Sequence, residues 1–178
     1  IAEGAALTNT STATVTGDVE NLGTWNVDGA LTMTGSLVNR GAWNLKGNVQ
    51  ASATVDNYGY ITAANSERIT LNTNAKLINR ADAQFTFGNL TNSAMIVNYG
   101  NMKQLAYTSS LGSGSILTTV IPDMVYALKN YSVIFYKLDV DYPAYCFKDG
   151  DAKIEKSSSA TRCQKKSGVD GDDALYIQ

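Results

Sequence analysis

One pattern of nine residues occurs twice in this chain, and the offset between its copies limits what the chain can fold into. Val19-Glu20-Asn21-Leu22-Gly23-Thr24-Trp25-Asn26-Val27 is followed 18 residues later by Leu37-Val38-Asn39-Arg40-Gly41-Ala42-Trp43-Asn44-Leu45. Apolar, Asn, Gly, Trp, Asn and apolar residues recur at the same places in both. Weaker copies begin at Val55, Leu77 and Ile96. The recurring asparagines Asn21, Asn39, Asn57, Asn79 and Asn98 are spaced 18, 18, 22 and 19 apart. A period near 20 that absorbs small insertions identifies a solenoid, in which each repeat buries its apolar face against the next.

Within each unit the residues alternate. Val19, Asn21, Gly23, Trp25 and Val27 share one parity, while Glu20, Leu22, Thr24 and Asn26 share the other. Side chains alternate faces along a strand, so this reads as a half-buried strand with an inward-facing asparagine. Gly29 and Gly47 end the segment. A second short strand follows as Leu31-Thr32-Met33 or Val49-Gln50-Ala51, and Gly35 or Ala53 turns the chain into the next unit. Thr14-Val15-Thr16-Gly17 matches Thr32-Met33-Thr34-Gly35, so the array starts before the first asparagine. In the third unit the four extra residues, Asn65-Ser66-Glu67-Arg68, are placed in one corner loop. In the fourth, Ala83 stands in the tryptophan position, with Phe85 and Phe87 at the next inward ones.

Equivalent residues of successive coils lie about 4.8 Å apart along a solenoid axis. Val19, Leu37, Val55, Leu77 and Ile96 then form an aliphatic stack, and Trp25 on Trp43 an aromatic one. Asn21, Asn39, Asn57, Asn79 and Asn98 form a ladder. A buried amide is costly unless paired, and in a stack each can bond the one above and below. The asparagine column therefore reads as structural rather than as a row of ligand contacts. The expected fold is an all-β parallel β-helix of about five coils, a rod of about 25 Å. It occupies residues 1–105, with residues 106–178 as a small β-rich cap or interaction module.

The repeated V-x-N-x-G-x-W/I-N-V/L pattern resembles the right-handed parallel β-helix of filamentous-haemagglutinin-type exoproteins, over residues 12 to 105 or so. That resemblance implies a right-handed coil and a place among large bacterial surface adhesins. It is architectural, because β-helices of unrelated function share such coils.

Composition excludes several alternatives. Charged residues make up 17% of the chain and the net charge is -2, which gives no electrostatic case for nucleic acid or an acidic membrane surface. No apolar run approaches the roughly 20 residues that span a bilayer. The chain has no histidine, which removes Ser-His-Asp and Cys-His nucleophiles and histidine-containing zinc sites. Ile1-Ala2-Glu3-Gly4 carries neither methionine nor a basic leader, so the chain reads as a mature or excised product. Cys146 and Cys163 read as a disulfide formed in an oxidising compartment. Closing their loop would contribute on the order of 3 kcal/mol.

The C-terminal part breaks the pattern. Leu111-Gly112-Ser113-Gly114-Ser115 reads as a turn, and residues 115–120 as a strand. Ile121–Lys129 reads as a short helix or loop, while Tyr131–Val140, Tyr142–Phe147 and Ala174–Gln178 read as strands. Asp149-Gly150-Asp151 with Glu155, and Asp170-Gly171-Asp172-Asp173, have spacings open to Ca²⁺ but read as solvated turns. No metal or cofactor is expected.

Glu67, Arg68 and Asp82 are the candidate carboxylates and cation of a polysaccharide-cleaving site. Thr24, Ala42 and Tyr60, or Thr32 and Gln50, are candidate outward columns for glycan. An ice-type Thr-x-Thr array, at Thr14, Thr16, Thr32 and Thr34, lasts two coils. Tyr142 and Tyr145 are candidate stacking platforms for a lectin-like tail. Sequons at Asn9, Asn89 and Asn130 fall by chance in so Asn/Thr-rich a chain.

The leading expectation is a non-enzymatic, secreted, cell-surface protein, either an adhesin segment or the subunit of a filament. Self-association would be head-to-tail through the solenoid ends or by strand exchange, with a glycan or protein receptor as a further partner. A polysaccharide-binding or polysaccharide-cleaving β-helix is the rival.

Overall fold

The computed structural model describes residues 1–63, 67–105 and 114–119, together with the backbone of six further strands between residues 123 and 177. The first coil holds β1 (Ala6–Asn9), β2 (Ala13–Val15) and β3 (Val19–Asn21). The second holds β4 (Thr24–Val27), β5 (Leu31–Met33) and β6 (Leu37–Asn39), and the third β7 (Ala42–Leu45), β8 (Val49–Ala51) and β9 (Thr54–Asn57). The fourth holds β10 (Tyr60–Ala63), β11 (Arg68–Leu71) and β12 (Lys76–Asn79), and the fifth β13 (Gln84–Phe87), β14 (Asn89–Asn92) and β15 (Met95–Asn98). β16 (Asn101–Gln104) and β17 (Ser115–Thr118) belong to the sixth.

Each of the first five coils gives one strand to each of three sheets, and like strands stack in parallel. The first sheet runs β1-β4-β7-β10-β13-β16 and ends in β18 (Asp123–Met124). The second runs β2-β5-β8-β11-β14. The third runs β3-β6-β9-β12-β15-β17 and continues in parallel to β19 (Ser132–Tyr136). The molecule is a parallel β-solenoid of about six turns, with no helix among the described residues. Beyond the coils, β20 (Tyr145–Phe147) and β21 (Ile154–Lys156) form an antiparallel pair. β22 (Gln164–Lys165) and β23 (Ala174–Ile177) add antiparallel strands beyond β19. Asp123–Met124 is therefore extended and paired with Lys103–Gln104, inside a stretch whose Pro122 suggested a helix or loop.

The alternating residues form these strands because their inward set is apolar. Val19, Leu37, Val55, Leu77, Ile96 and Ile116 are in register in the third sheet. From Leu37 onward every member of that column is buried. The nine-residue pattern is not one strand, however. It is β3 and β4, in different sheets, bent at Leu22-Gly23. A corner of two residues keeps the count even, so the alternation passes through the bend unchanged.

Two placements of inserted residues need correction. In the third coil Leu45 precedes Val49 by four positions and Ala51 precedes Val55 by four. Their register partners in the fourth coil, Ala63 and Ile69, then Leu71 and Leu77, are six apart. The four extra residues are thus shared, two to each of two corners. A corner has open space on its outer side, whereas a strand cannot lengthen without slipping register.

Ala83 likewise does not replace tryptophan. Trp25, Trp43, Ile61, Phe85 and Met102 are the residues in register. Two further residues enter the corner before β13, which closes by Ala83 N–H donating to the Arg80 carbonyl at 3.1 Å, with Asp82 at φ 66°. Ala83 is buried in that corner, and the large aromatic returns one inward position later.

Two corners depend on missing side chains. A Cβ on Gly35 would land on the carbonyl oxygen of Gly17 in the coil before, and one on Gly41 on that of Gly23. The coils approach more closely there than any side chain allows.

Candidate functional site

The sheet of β3, β6, β9, β12 and β15 ends each of these strands with an asparagine, and the register brings all five into one column. Asn21, Asn39, Asn57, Asn79 and Asn98 are each fully buried. Asn21 Nδ2 donates to Asn39 Oδ1, Asn39 to Asn57, Asn57 to Asn79 and Asn79 to Asn98, every bond at 2.8 Å. The other amide hydrogen of each donor goes to a backbone carbonyl, those of Ala42, Tyr60, Gln84 and Asn101, at 3.0 Å.

The column has a sixth member that the asparagine spacing missed. Asn98 Nδ2 donates to Thr118 Oγ1 at 3.0 Å, and Thr118 is fully buried. Its signal in the sequence is Ile116-Leu117-Thr118, an apolar-any-polar triplet 20 residues after Asn98. All the donors point toward the C-terminal coils, so the ladder has a direction.

Trp25 and Trp43 stack with ring centroids 5.6 Å apart and planes 26° from parallel. Phe85 packs on Phe87 at 4.8 Å. Neither indole N–H has a hydrogen-bond partner. Each unsatisfied donor gives back about 1–3 kcal/mol of what the aromatic burial contributes. These residues line no accessible surface, and their chemistry is that of a core.

The surface repeats too. One residue past each rung, Leu22, Arg40, Tyr58, Arg80 and Tyr99 follow one another down a corner, where each amide from Arg40 on donates to the carbonyl of the rung asparagine one coil before. Arg40 lies 4.4 Å and Arg80 5.3 Å from the Tyr58 ring centroid. Arg80 also makes a two-point contact with Asp56, at 2.7 and 2.9 Å. That hydrogen bond outweighs desolvation and holds the guanidinium above its ordinary pKa. Cross-coil pairs Arg40–Glu20 at 3.4 Å and Lys46–Asp28 at 3.3 Å complete the set.

Because Arg80 is 38% and Asp56 18% exposed, their pair is partly screened. Arg80→Ala is expected to cost about 1 kcal/mol in urea unfolding, and less at ~1 M salt, where the Debye length is about 3 Å.

On the second sheet the register places Thr14, Thr32, Gln50, Thr70 and Thr91 in one outward column. Two residues further along lie Thr16, Thr34, Ser52, Asn72 and Ser93. The hydroxyl array at Thr14 and Thr32 thus returns at Thr70 and Thr91, after a single Gln. The corner insertions hid this from the spacing. Gln50 Nε2 donates to Asn72 Oδ1 at 3.2 Å and Asn72 Nδ2 to Ser52 Oγ at 2.7 Å, so the amides here are held in place. Thr24, Ala42 and Tyr60 align with Gln84 and Asn101 on the first sheet.

The other candidates are not drawn together. Glu67 sits just before β11, past the C-terminal end of β10, and Asp82 just before the N-terminal end of β13, so the two lie at opposite ends of the first sheet's parallel strands. Among the described residues no group of three or more Asp, Glu, Cys or His is placed to hold a metal ion. The Cys146 and Cys163 side chains lie outside the described residues, as do those of Tyr142 and Tyr145 and of the two Asp-rich turns.

These features define the chain as a parallel β-solenoid whose interior is occupied by stacked side chains. No family model matches it, and neither a curated protein nor a solved structure does.

Proposed function

We propose that this is a non-enzymatic extracellular structural protein, serving as a segment of a surface adhesin or as the subunit of a surface filament. The observation that carries the reading is the unbroken interior: an amide ladder from Asn21 to Thr118 beside an aliphatic column from Val19 to Ile116. Such a stack resists bending and stretching, because any change of coil spacing breaks buried hydrogen bonds along its whole length. Mechanical stiffness with a repetitive surface is what an adhesin stalk or filament requires. Secretion rests on the low charge, the Thr/Asn-rich surface and the expected disulfide. Negative-stain images of the purified protein are expected to show short rods, joined end to end as concentration rises. Compact, strictly monomeric particles at high concentration would sink the filament version.

One observation favours a second reading, polysaccharide binding. The ten positions of the Thr14 and Thr16 columns carry hydroxyls and amides and no charge. That surface suits neutral hydroxyl-rich chains. Retention on insoluble neutral glycans, lost in Thr32→Asp and Thr70→Asp, would support it. Turnover of polyuronates or neutral glycans that Glu67→Gln or Asp82→Asn abolishes would instead make the protein an enzyme.

A further inference from the structure

The outward face of the second sheet is longer than it is wide. Its two columns, headed by Thr14 and Thr16, stand about 6.6 Å apart, while five coils at about 4.8 Å give it a length of about 19 Å. All ten positions are neutral. The column two residues before, Thr12, Ala30, Asn48, Arg68 and Asn89, adds a single charge, that of Arg68.

The chemistry along this length is not uniform. In the first, second and fifth coils the two columns carry only hydroxyls, those of Thr14, Thr16, Thr32, Thr34, Thr91 and Ser93. The third and fourth coils carry two amides, Gln50 and Asn72, with Ser52 and Thr70. Across these two coils Gln50 Nε2 donates to Asn72 Oδ1 at 3.2 Å, and Asn72 Nδ2 donates back to Ser52 Oγ at 2.7 Å. The Asn72 backbone is held as well: its N–H donates to the Ala51 carbonyl at 3.0 Å, and its carbonyl accepts from Ala75 N–H at 2.8 Å. Gln50 is exposed, and Asn72 and Ser52 are half-buried, so a ligand can reach all three.

After these bonds the trio keeps unused capacity. Gln50 retains its carbonyl oxygen and one amide hydrogen, Asn72 one amide hydrogen, and Ser52 its hydroxyl proton. A threonine hydroxyl rotates and serves whatever meets it. An amide tied at one edge cannot turn, so its oxygen and nitrogen demand a donor and an acceptor in fixed places.

We propose that Gln50, Asn72 and Ser52 are the specificity-determining element of this face, and that its ligand is an extended, neutral, β-1,4-linked glycan lying along the solenoid axis. The inference rests on the polysaccharide-binding reading above and names its ligand class and its recognition element. Orientation follows from shape, since an extended chain fits the long dimension of the face and overruns the short one. Linkage follows from flatness: a β-1,4 chain is a ribbon, whereas a helical glycan would touch the sheet at one turn and leave it. Charge follows from the free Gln50 oxygen, which accepts from a sugar hydroxyl but would face a uronate carboxylate acceptor to acceptor. An ice surface would suit the hydroxyl rows, but Gln50 interrupts them. The cross-coil bonds hold the amides in place before the ligand arrives, so little side-chain entropy is lost on binding.

The test measures depletion of the full chain from solution by microcrystalline cellulose, by chitin and by insoluble polygalacturonate. Saturable retention is expected on cellulose or chitin. Gln50→Thr, which completes the hydroxyl rows and removes the fixed amide, should weaken it by about tenfold or more. Unchanged circular dichroism and melting temperature of Gln50→Thr separate lost recognition from lost folding. Thr62→Asp, on the outward side of the first sheet, should bind as the parent does. Retention that Thr32→Asp abolishes but Gln50→Thr leaves unchanged would keep the polysaccharide-binding reading and overturn this inference alone. No retention of the parent on cellulose or chitin would overturn both. Tighter binding to polygalacturonate, lost in Arg68→Ala, would make the ligand acidic and overturn the proposal. Inhibition of ice recrystallisation that Gln50→Thr strengthens would assign the face to ice and overturn it as well.

Discussion

Asn57→Leu is expected to lower the unfolding free energy by about 4 kcal/mol, a large share of the 5–15 kcal/mol of an ordinary domain. Leucine fills the space but leaves Asn79 Oδ1 without its donor, Asn39 Nδ2 without one acceptor, and Gln84 without the amide that met its carbonyl. Each orphaned buried group costs about 1–3 kcal/mol. Equilibrium urea unfolding measures the loss; a change under 1 kcal/mol would mean that the ladder adds little beyond packing.

Asn57→Asp refines the test through its pH dependence. The carboxylate can accept from Asn39 but faces the Asn79 oxygen, so burial and acceptor repulsion both raise the folded pKa above the unfolded value of about 4. Protonated, the acid can donate to Asn79 and the ladder is restored. The variant's stability is therefore fully present below the unfolded pKa and is lost as pH rises toward the folded one, by about 1.4 kcal/mol per pH unit. Relative to the parent, Asn57→Asp should be more stable at pH 4 than at pH 7. Parallel stability curves for the two proteins would refute this account.

The second large effect is steric. Gly35→Ala is expected to cost about 3 kcal/mol, because its methyl would displace the backbone of the neighbouring coil rather than a flexible side chain. Gly17→Ala, in the same corner column and the same Thr-x-Thr-Gly context, should stay within about 0.5 kcal/mol of the parent. Thermal and urea melts of the two variants side by side decide the matter. Equal destabilisation would show that intrinsic glycine preference, and not the distance between coils, sets the cost.

The contrast also shows what could be read from the residues alone. Rung positions are legible because stacking repeats chemistry: an amide selects an amide above it, and the inward column beside it stays apolar. Asn21 to Asn98, and Trp25 with Trp43, carry that demand openly. Corners were not legible. A corner needs only to return the chain, and Leu22-Gly23 does so in two residues where Asn72-Thr73-Asn74-Ala75 and Arg80–Ala83 each take four. Four residues therefore looked like one insertion when they were two. Spacing alone puts Ala83 in the tryptophan column, whereas a wider turn carries the aromatic on to Phe85.

Thr118 is hidden in the sequence for a different reason. Accepting from Asn98 takes only an oxygen, so a hydroxyl serves there as an amide does. The outward Thr70 and Thr91 were hidden in turn, since their column appears only once corner lengths are subtracted.

A chain that accepts extra length at its corners and refuses it at its rungs behaves as a ruler. Each coil marks off about 4.8 Å along the axis regardless of how many residues it took to go round. Whatever is carried one residue past a rung, as Arg40, Tyr58, Arg80 and Tyr99 are, is displayed at that fixed pitch. Sequence grafted into the wide corner at residues 72–75 would be presented on the same scale, its distance from each neighbouring mark set by the coil count and not by the length of the graft.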